Sequence, residues 1–417
     1  MSLLFAWRYF KAKKTTNAIN IISWISIVAI VFGTAALILV LSVFNGFEGL
    51  VKSLYSSFYP EIKISAAAGK QLTLTQEQIN EIRAVKGIKA VSMVVEERAL
   101  LQNQSLSEDS IDFQSIVIIK GVDQNYPGVN KVQEHIIQGE FEVGDADNPA
   151  LVLGIGIQNA LAVQSDRNVR PLAIYLPRKD ALNLNDPLNS LSVENINTAG
   201  TFMIQQDFDN QYALTNLGFM KKMMGLPENS YTAAEISVFD PSEANASRDL
   251  IRKVLGANYK VQNRFEQNAS LYSVMRIEKW IIYAILALIL IVASFNMVGA
   301  LTMLVLEKKQ DISTLHALGA SRSFIQRIFL TEGILLAIIG GSLGMMIAFV
   351  FGRLQQTYHL IPLEGNSFMI NYFPVKMVVS DFLLVGLTVV VIAFGAAFVP
   401  ARKAAQRQFQ LRNAVTT

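Results

Sequence analysis

The chain has 417 residues, of which 52% are hydrophobic and 17% charged, and its mean hydropathy is +0.35. That is too apolar for an ordinary soluble protein and too polar for a chain lying wholly in a membrane, so a mixed architecture is expected. The formal charge is +3 without a basic, aromatic-interleaved stripe, which argues against nucleic acid, and the absence of cysteine excludes disulfides and thiolate metal sites.

Uncharged runs of about 18 residues or more, the length that crosses roughly 30 Å of hydrocarbon, occur at 19–44, 280–306, 333–352 and 382–400. They predict four transmembrane helices within the segments 19–47, 272–306, 323–352 and 377–400. Residues 1–18 read as an amphipathic segment on the cytoplasmic face, with Leu3, Leu4, Ala6, Trp7 and Phe10 on one side and Arg8, Lys11, Lys13 and Lys14 toward its end. The first run exceeds the ~7 to 15 residues of a signal core, which predicts an uncleaved helix. At ~1.5 Å per residue it rises about 39 Å, more than the hydrocarbon needs, so it tilts or protrudes outward.

Lysine and arginine placement sets the orientation. Four basic residues and no acid precede the first run, and Arg402, Lys403, Arg407 and Arg412 stand without acid in the tail 401–417. Both termini are therefore expected in the cytoplasm. Residues 48–271 then form a large outer domain, and 353–376 a shorter outer loop.

Within the outer domain, EIKIS reads as a strand. TQEQINEIRAV follows as a helix, with Thr75 and Gln78 at capping-box spacing, and AVSMVV as a strand. Near the domain's end the order repeats: EISVF, a helix starting at Pro241 and Ser242 with Leu250, Ile251, Val254 and Leu255 on one face, Gly256 as stop, then YKVQ. Two β-α-β units bracketing a middle stretch predict a split α+β porter-like subdomain with a β-rich lobe inserted at about 121–227. In that lobe, residues 177–197 read as an exposed loop. On the third span Gly340, Gly341 and Gly344, and on the fourth Gly395, Ala396 and Ala397, give small-residue faces for packing or dimerisation.

Chemistry-bearing motifs are sparse. No G-x-x-x-x-G-K-[ST], H-E-x-x-H or G-x-S-x-G occurs, and His135, His316 and His359 are scattered, so the chain reads as a non-enzyme with no nucleotide, cofactor or metal site of its own. Between the second and third spans, EKKQDISTLHALGASR at 307–322 breaks the apolar pattern. Ile312, Leu315 and Leu318 recur every three residues before Gly319, which predicts a short amphipathic helix ended by glycine. A short helix tied to two spans is placed to receive a push from a soluble partner.

SWISIVAIVFGTAALILVLSVFNGFEGL at 23–50, the stretch 271–333 and VPARKAAQ at 399–406 together resemble the lipoprotein-releasing permeases of the LolC/LolE family, within the four-span superfamily that includes MacB and FtsX. Ser313 stands where the family often has glycine, and Ser165-Asp166 where it often has Gly-Asp. The resemblance implies the inner membrane of a bacterium and a second permease copy, with a homodimer favoured over a heterodimer. It implies separate ABC ATPase subunits that bind ATP and Mg, a periplasmic lipoprotein carrier, and acylated lipoproteins drawn from the outer leaflet.

ATPase coupling then falls to Glu307, Lys308, Asp311, Ile312, Leu315, His316, Leu318, Gly319 and Ser321. A lipoprotein-binding cavity is expected from Val40, Leu41, Val43, Phe44, Phe47, Ile281, Ile282, Ala284, Ile285 and Leu288, in the outer halves of the first two spans. Just outside the second span, Arg276 and Glu278 read as an ion pair. The loop 177–197 lies where one family member carries a hook that grips the carrier, which puts Pro177, Arg178, Leu182, Leu184 and Pro187 at a carrier contact. The alternatives are a MacB-like export permease or an FtsX-like transmitter acting on a cell-wall hydrolase.

Overall fold

The computed structural model describes residues 17–103, 113–165, 171–178, 191–363 and 370–406; the N-terminal segment 1–16 and the tail beyond 406 lie outside them. Two compact units result, one of Met1–Leu50, Ser273–Glu364 and Ile370–Thr417 and one of Val51–Tyr272 with Gly365–Met369. In chain order the helices are α1 (Asn17–Phe58), α2 (Gln76–Ala84), α3 (Ile155–Ala160), α4 (Leu217–Met224), α5 (Ala244–Leu255), α6 (Ala269–Glu307), α7 (Lys309–Ala317), α8 (Arg322–Tyr358) and α9 (Val379–Gln406), besides single turns.

Four of them, α1, α6, α8 and α9, are long and apolar enough to cross a membrane. Each runs past its apolar stretch: α1 continues to Phe58 where the hydropathy pattern stops at 47, and α8 to Tyr358 rather than 352. Hydropathy marks what lies in lipid, whereas helix ends are set by caps and packing. The core of the membrane unit gathers Ile30, Leu37, Ile38 and Leu41 of α1, Leu290, Met297 and Leu301 of α6, Leu336 and Ala337 of α8, and Val385 and Ala393 of α9. Close approach depends on glycine. A Cβ at Gly344 would lie 2.6 Å from the Val31 carbonyl oxygen, and one at Gly333 would lie 2.5 Å from the Ala397 Cβ. The small residues of α8 thus serve packing inside the bundle, while Gly395 of α9 faces open space.

The strands of the outer unit are β1 (Ile62–Ala66), β2 (Leu72–Thr73), β3 (Ile88–Asn103), β4 (Phe113–Val122), β5 (Ile136–Gly139), β6 (Ala150–Gly154), β7 (Leu172–Pro177), β8 (Leu191–Phe202), β9 (Tyr212–Asn216), β10 (Ser230–Tyr231), β11 (Ala233–Val238) and β12 (Tyr259–Asn263). β12-β1-β11-β3 is an antiparallel sheet carrying α2 and α5, with the strand order of a split β-α-β fold. The expected capping box is present: Thr75 N donates to Gln78 Oε1 (3.0 Å) and Gln78 N to Thr75 Oγ1 (3.3 Å).

The inserted lobe is a closed barrel. β3 pairs with β4, β4 with β9, β9 with β6, β6 with β8, β8 with β7, and β7 back with β3. The 16-residue β3 is shared by sheet and barrel. The barrel is filled by Leu101, Val117, Ile119, Leu153, Ile174, Ile196 and their neighbours, and Phe219, Met220 and Met224 of α4 pack against them. Closure leaves these strands without the unpaired edges that invite aggregation.

Two local readings are corrected. On α5 the buried stripe is Ser247, Ile251 and Leu255, four residues apart, while Leu250 and Val254 are exposed. A helix of twelve residues turns a single stripe inward, and the two outer aliphatics flank it. The stretch 177–197 is not all loop: Pro177 ends β7 and Leu191 opens β8, the two being paired, while 179–190 lie outside the described residues. At the neighbouring departure from the family pattern, Ser165 is buried and its hydroxyl donates to Gln158 Oε1 (2.6 Å), while Asp166 is outside the described residues.

Where sheet and barrel meet, Lys120 of β4 is buried, with Nζ 2.6 Å from Glu235 and 3.3 Å from Glu96, itself 3.4 Å from Lys63. Burial opposes the charge, but the Glu235 and Glu96 carboxylates outweigh it and hold the ammonium well above its ordinary range. Removing one partner strands the other charges, so Lys120→Ala is expected to cost about 3–5 kcal/mol. Denaturant unfolding of the detergent-solubilised chain measures this.

Candidate functional site

Three regions carry the residues singled out in the sequence. The first is α7. Ile312 is 1% exposed, packed with Leu304 and Val305 of α6, Ile325 and Phe329 of α8, and Ala401 and Ala404 of α9. Leu315 is half-buried and Leu318 is 79% exposed, so the three do not form one apolar face. Each step of three residues falls about 60° short of a full turn, which carries Leu318 away from the bundle. The helix ends in a Schellman motif: Ala320 N donates to Leu315 O and Gly319 N to His316 O, both at 3.0 Å, with Gly319 at φ +87°. Ser321 then caps α8 by accepting from Phe324 N (3.3 Å), and Lys308 pairs with Asp311 (3.4 Å). Glu307 and His316 are half-buried, and Asp311, Leu318, Gly319 and Ser321 are exposed. The product is a rigid helix anchored by Ile312, with a free apolar knob at Leu318.

The second region is the outer half of the membrane unit. Val40 is exposed, Val43, Phe44 and Phe47 are half-buried, and on α6 Ile281, Ala284, Ile285 and Leu288 are exposed with Ile282 half-buried. Leu41 is different: at 1% exposure it lies in the four-helix core, where it lines no outward face. Arg276 and Glu278 are both exposed but stand two residues apart, which points them to different sides of α6 rather than into a pair.

The structure adds residues that the sequence reading passed over. Asn45 and Asp381 are buried, and Asn45 Nδ2 donates to Asp381 Oδ2 (2.5 Å) and to the Lys376 carbonyl (3.4 Å). Lys279 Nζ donates to Asn45 Oδ1 (2.7 Å) and lies 3.6 Å from Asp381. Gly46 lets the backbone at Pro374 approach, since a Cβ there would sit 2.1 Å from the Pro374 carbonyl oxygen. Phe47 meets Phe373 edge-on at 5.9 Å between ring centroids. The Asn-Gly-Phe run thus seats the segment before α9. The signal was available: Asn45, Lys279 and Asp381 each stand immediately outside an apolar run.

The third region is the outer unit. Phe58, at the end of α1, stacks on Phe208 (4.5 Å), meets Tyr212 (4.6 Å), and lies under the Lys120 ammonium (5.0 Å). The turn that receives it is held by Asp209, whose Oδ1 accepts from Ile204 N (2.8 Å). On the barrel's outside, Ile116, Leu100, Tyr175 and Val193 stand in one row across four strands, with Ile116 and Val193 exposed. Pro177 and Arg178 lie at the end of β7 beside this row, and Leu182, Leu184 and Pro187 are outside the described residues.

Residues 283–409 match the FtsX-like permease C-terminal family and residues 23–170 the MacB-like periplasmic core domain. Near-full-length relatives include the lipoprotein-releasing system transmembrane protein LolC of Neisseria meningitidis serogroup B, 26% identical over 98% of both chains. LolC of Xylella fastidiosa strain 9a5c is 24% identical over 98% of this chain and 97% of its own. The corresponding LolE of Haemophilus influenzae is 25% identical over 97% and 96%.

Two outcomes are expected. Gly46→Ala pushes the Pro374 backbone outward and breaks the Lys376 N to Ser42 O bond (2.9 Å), at about 1–3 kcal/mol, read as a lowered unfolding midpoint. Burial raises the Asp209 carboxyl from its ordinary 3.8 to about 6. The folded state therefore holds that proton more tightly, and the stability this confers is full below pH ~4 and lost as pH rises through ~6. Asp209→Asn flattens that part of the unfolding pH profile.

Proposed function

We infer that this chain, as a LolC/LolE-type permease with four membrane-crossing helices and a periplasmic domain, is the membrane subunit of an ABC complex that releases acylated lipoproteins from the outer leaflet of the inner membrane. A separate ATPase binds ATP and Mg and drives it, and a periplasmic carrier receives the cargo. Burial of acyl chains is worth ~0.8 kcal/mol per CH₂, so three long chains hold a lipoprotein in the membrane by about 35 kcal/mol. Spontaneous escape is negligible, and release needs both an apolar surface for the chains and an outside energy source.

The observation that carries this reading is the outer half of α6. Burial on that helix begins at Leu290, and the residues before it offer an apolar face that includes Ile281, Ile285 and Leu288, the last 59% exposed. With Val40, Val43, Phe44 and Phe47 of α1, and with Ile282 and Ala284, it supplies the surface on which acyl chains leave lipid. Leu41 supports that surface from behind.

α7 supports the driving end. Its anchored Ile312 makes it move with α6, α8 and α9, while Leu318 and the exposed Asp311 and Thr314 are free to meet an ATPase surface. Glu307, Lys308, Leu315, His316, Gly319 and Ser321 keep the helix's position and ends. On this reading α7 and both termini lie in the cytoplasm. Two copies of this chain are taken to pair, in preference to a mixed pair. The apolar row beside Pro177 and Arg178 is the surface assigned to the carrier.

The complex is tested by purification with its ATPase and reconstitution. Leu318→Asp is expected to lower lipoprotein-dependent ATP hydrolysis by tenfold or more, roughly 1.4 kcal/mol of coupling, with α7 still formed. Polar substitution at Phe44 or Ile282 is expected to reduce lipoprotein release per ATP. Unchanged release in both, or copurification with a channel protein or a wall hydrolase in place of lipoprotein and carrier, would rule this reading out.

A further inference from the structure

The inner half of α6 is held by apolar packing, since its buried residues run from Leu290 to Val305. The outer half reaches the bundle differently. Lys279 Nζ donates to Asn45 Oδ1 of α1 (2.7 Å) and lies 3.6 Å from Asp381 of α9. One turn inward, the hydroxyls of Tyr283 and Thr388 share a hydrogen bond of 2.5 Å. In lipid, apolar surfaces gain little by leaving hydrocarbon for each other, so attachment depends on close packing and on polar contacts. Beside the partly buried Tyr283 and Leu286, polar contacts therefore carry the attachment of the outer half.

The polar cluster keeps part of its bonding when one member leaves. Without Lys279, Asn45 Nδ2 still donates to Asp381 (2.5 Å) and to the Lys376 carbonyl (3.4 Å), while Asn45 Oδ1 loses the donor at 2.7 Å and the Asp381 carboxylate its cation, a cost that makes the attached state the resting one. The Lys279 side chain is already 30% exposed, at the outer end of an apolar run where water and the phosphates of lipid headgroups can receive its ammonium. Separation needs no unfolding, because α6 is continuous from Ala269 to Glu307 and is anchored at its other end.

We propose that Lys279, seated on Asn45 and Asp381, is the latch that holds the outer half of α6 against α1 and α9, and that its release opens the path by which acyl chains enter between α1 and α6. Lys279 acts as a positioning residue: it sets where α6 stands and touches no cargo. The latch's place in transport rests on the lipoprotein-release reading, whereas its mechanical part does not.

The chain contains no cysteine, so a single cysteine introduced at the exposed Ile281 or at the exposed Met303 of the inner half can carry a spin label without background. The full-length permease with its ATPase, in lipid nanodiscs without lipoprotein, is the sample. With Lys279→Met the label at 281 is expected to shorten its rotational correlation time about twofold while the label at 303 is unchanged. Tyr283→Phe produces a smaller change of the same sign, and pairing Lys279→Asp with Asp381→Lys restores the original spectrum at 281. An unchanged spectrum at 281 in both single variants, or a charge exchange that leaves it loosened, overturns the latch. Lipoprotein release per ATP is measured on cysteine-free protein carrying the same Lys279 and Tyr283 substitutions, without a label at 281. A loosened α6 with release unchanged from the parent protein upholds the latch and overturns instead the assignment of the α1–α6 path to acyl chains.

Discussion

Apolar surface does not drive helices together in lipid, and the membrane unit shows what replaces that force. Close approach needs missing side chains, which Gly333, Gly340 and Gly344 of α8 supply against Ala397, Ile30 and Val31. Where such packing is lacking, on the outer half of α6, polar groups take over. The result is a bundle in which α1, α8, α9 and the inner half of α6 share one core, while the outer half of α6 is joined to it through Lys279, Tyr283 and the half-buried Leu286.

The outer unit is built on the opposite economy. It has apolar burial in plenty, in the barrel interior and under the split β-α-β sheet, and sets one charged cluster in the seam between them. Lys120, Glu235 and Glu96 are costly to desolvate and are kept together by each other, with the rings of Phe58 and Tyr126 over the ammonium. Because β3 runs through both halves and Phe58 ends the first membrane helix, this seam is where the helix's last turn is seated in the domain.

Function divides along the same lines. α7 combines a buried anchor with an exposed knob and a glycine stop, which suits an element that must move as one piece with the spans that hold it. The apolar face of α6 suits a surface that hydrocarbon visits and leaves. On the proposed reading neither role asks for a catalytic centre in this chain, since the work would be mechanical and the fuel would come from a partner.

Much of this was legible in the chain itself. Four uncharged runs fixed the number of spans, and the Thr75–Gln78 spacing located a capping box. Gly256 and Gly319 marked two helix ends because both need positive φ. Period and composition are local properties, and these features depend on nothing else. Tertiary structure decided the rest. Barrel closure requires β7 to find both β3 and β8, and no local pattern encodes that register. Leu41 lies in the core because three other helices enclose that side of α1, and Leu318 points away because a three-residue repeat drifts around a 3.6-residue helix. Asn45, Lys279 and Asp381 are separated by up to 336 positions and read singly as polar residues at the ends of spans. They become one cluster only when three helices pack, since the partner that satisfies each buried polar group is chosen by the fold.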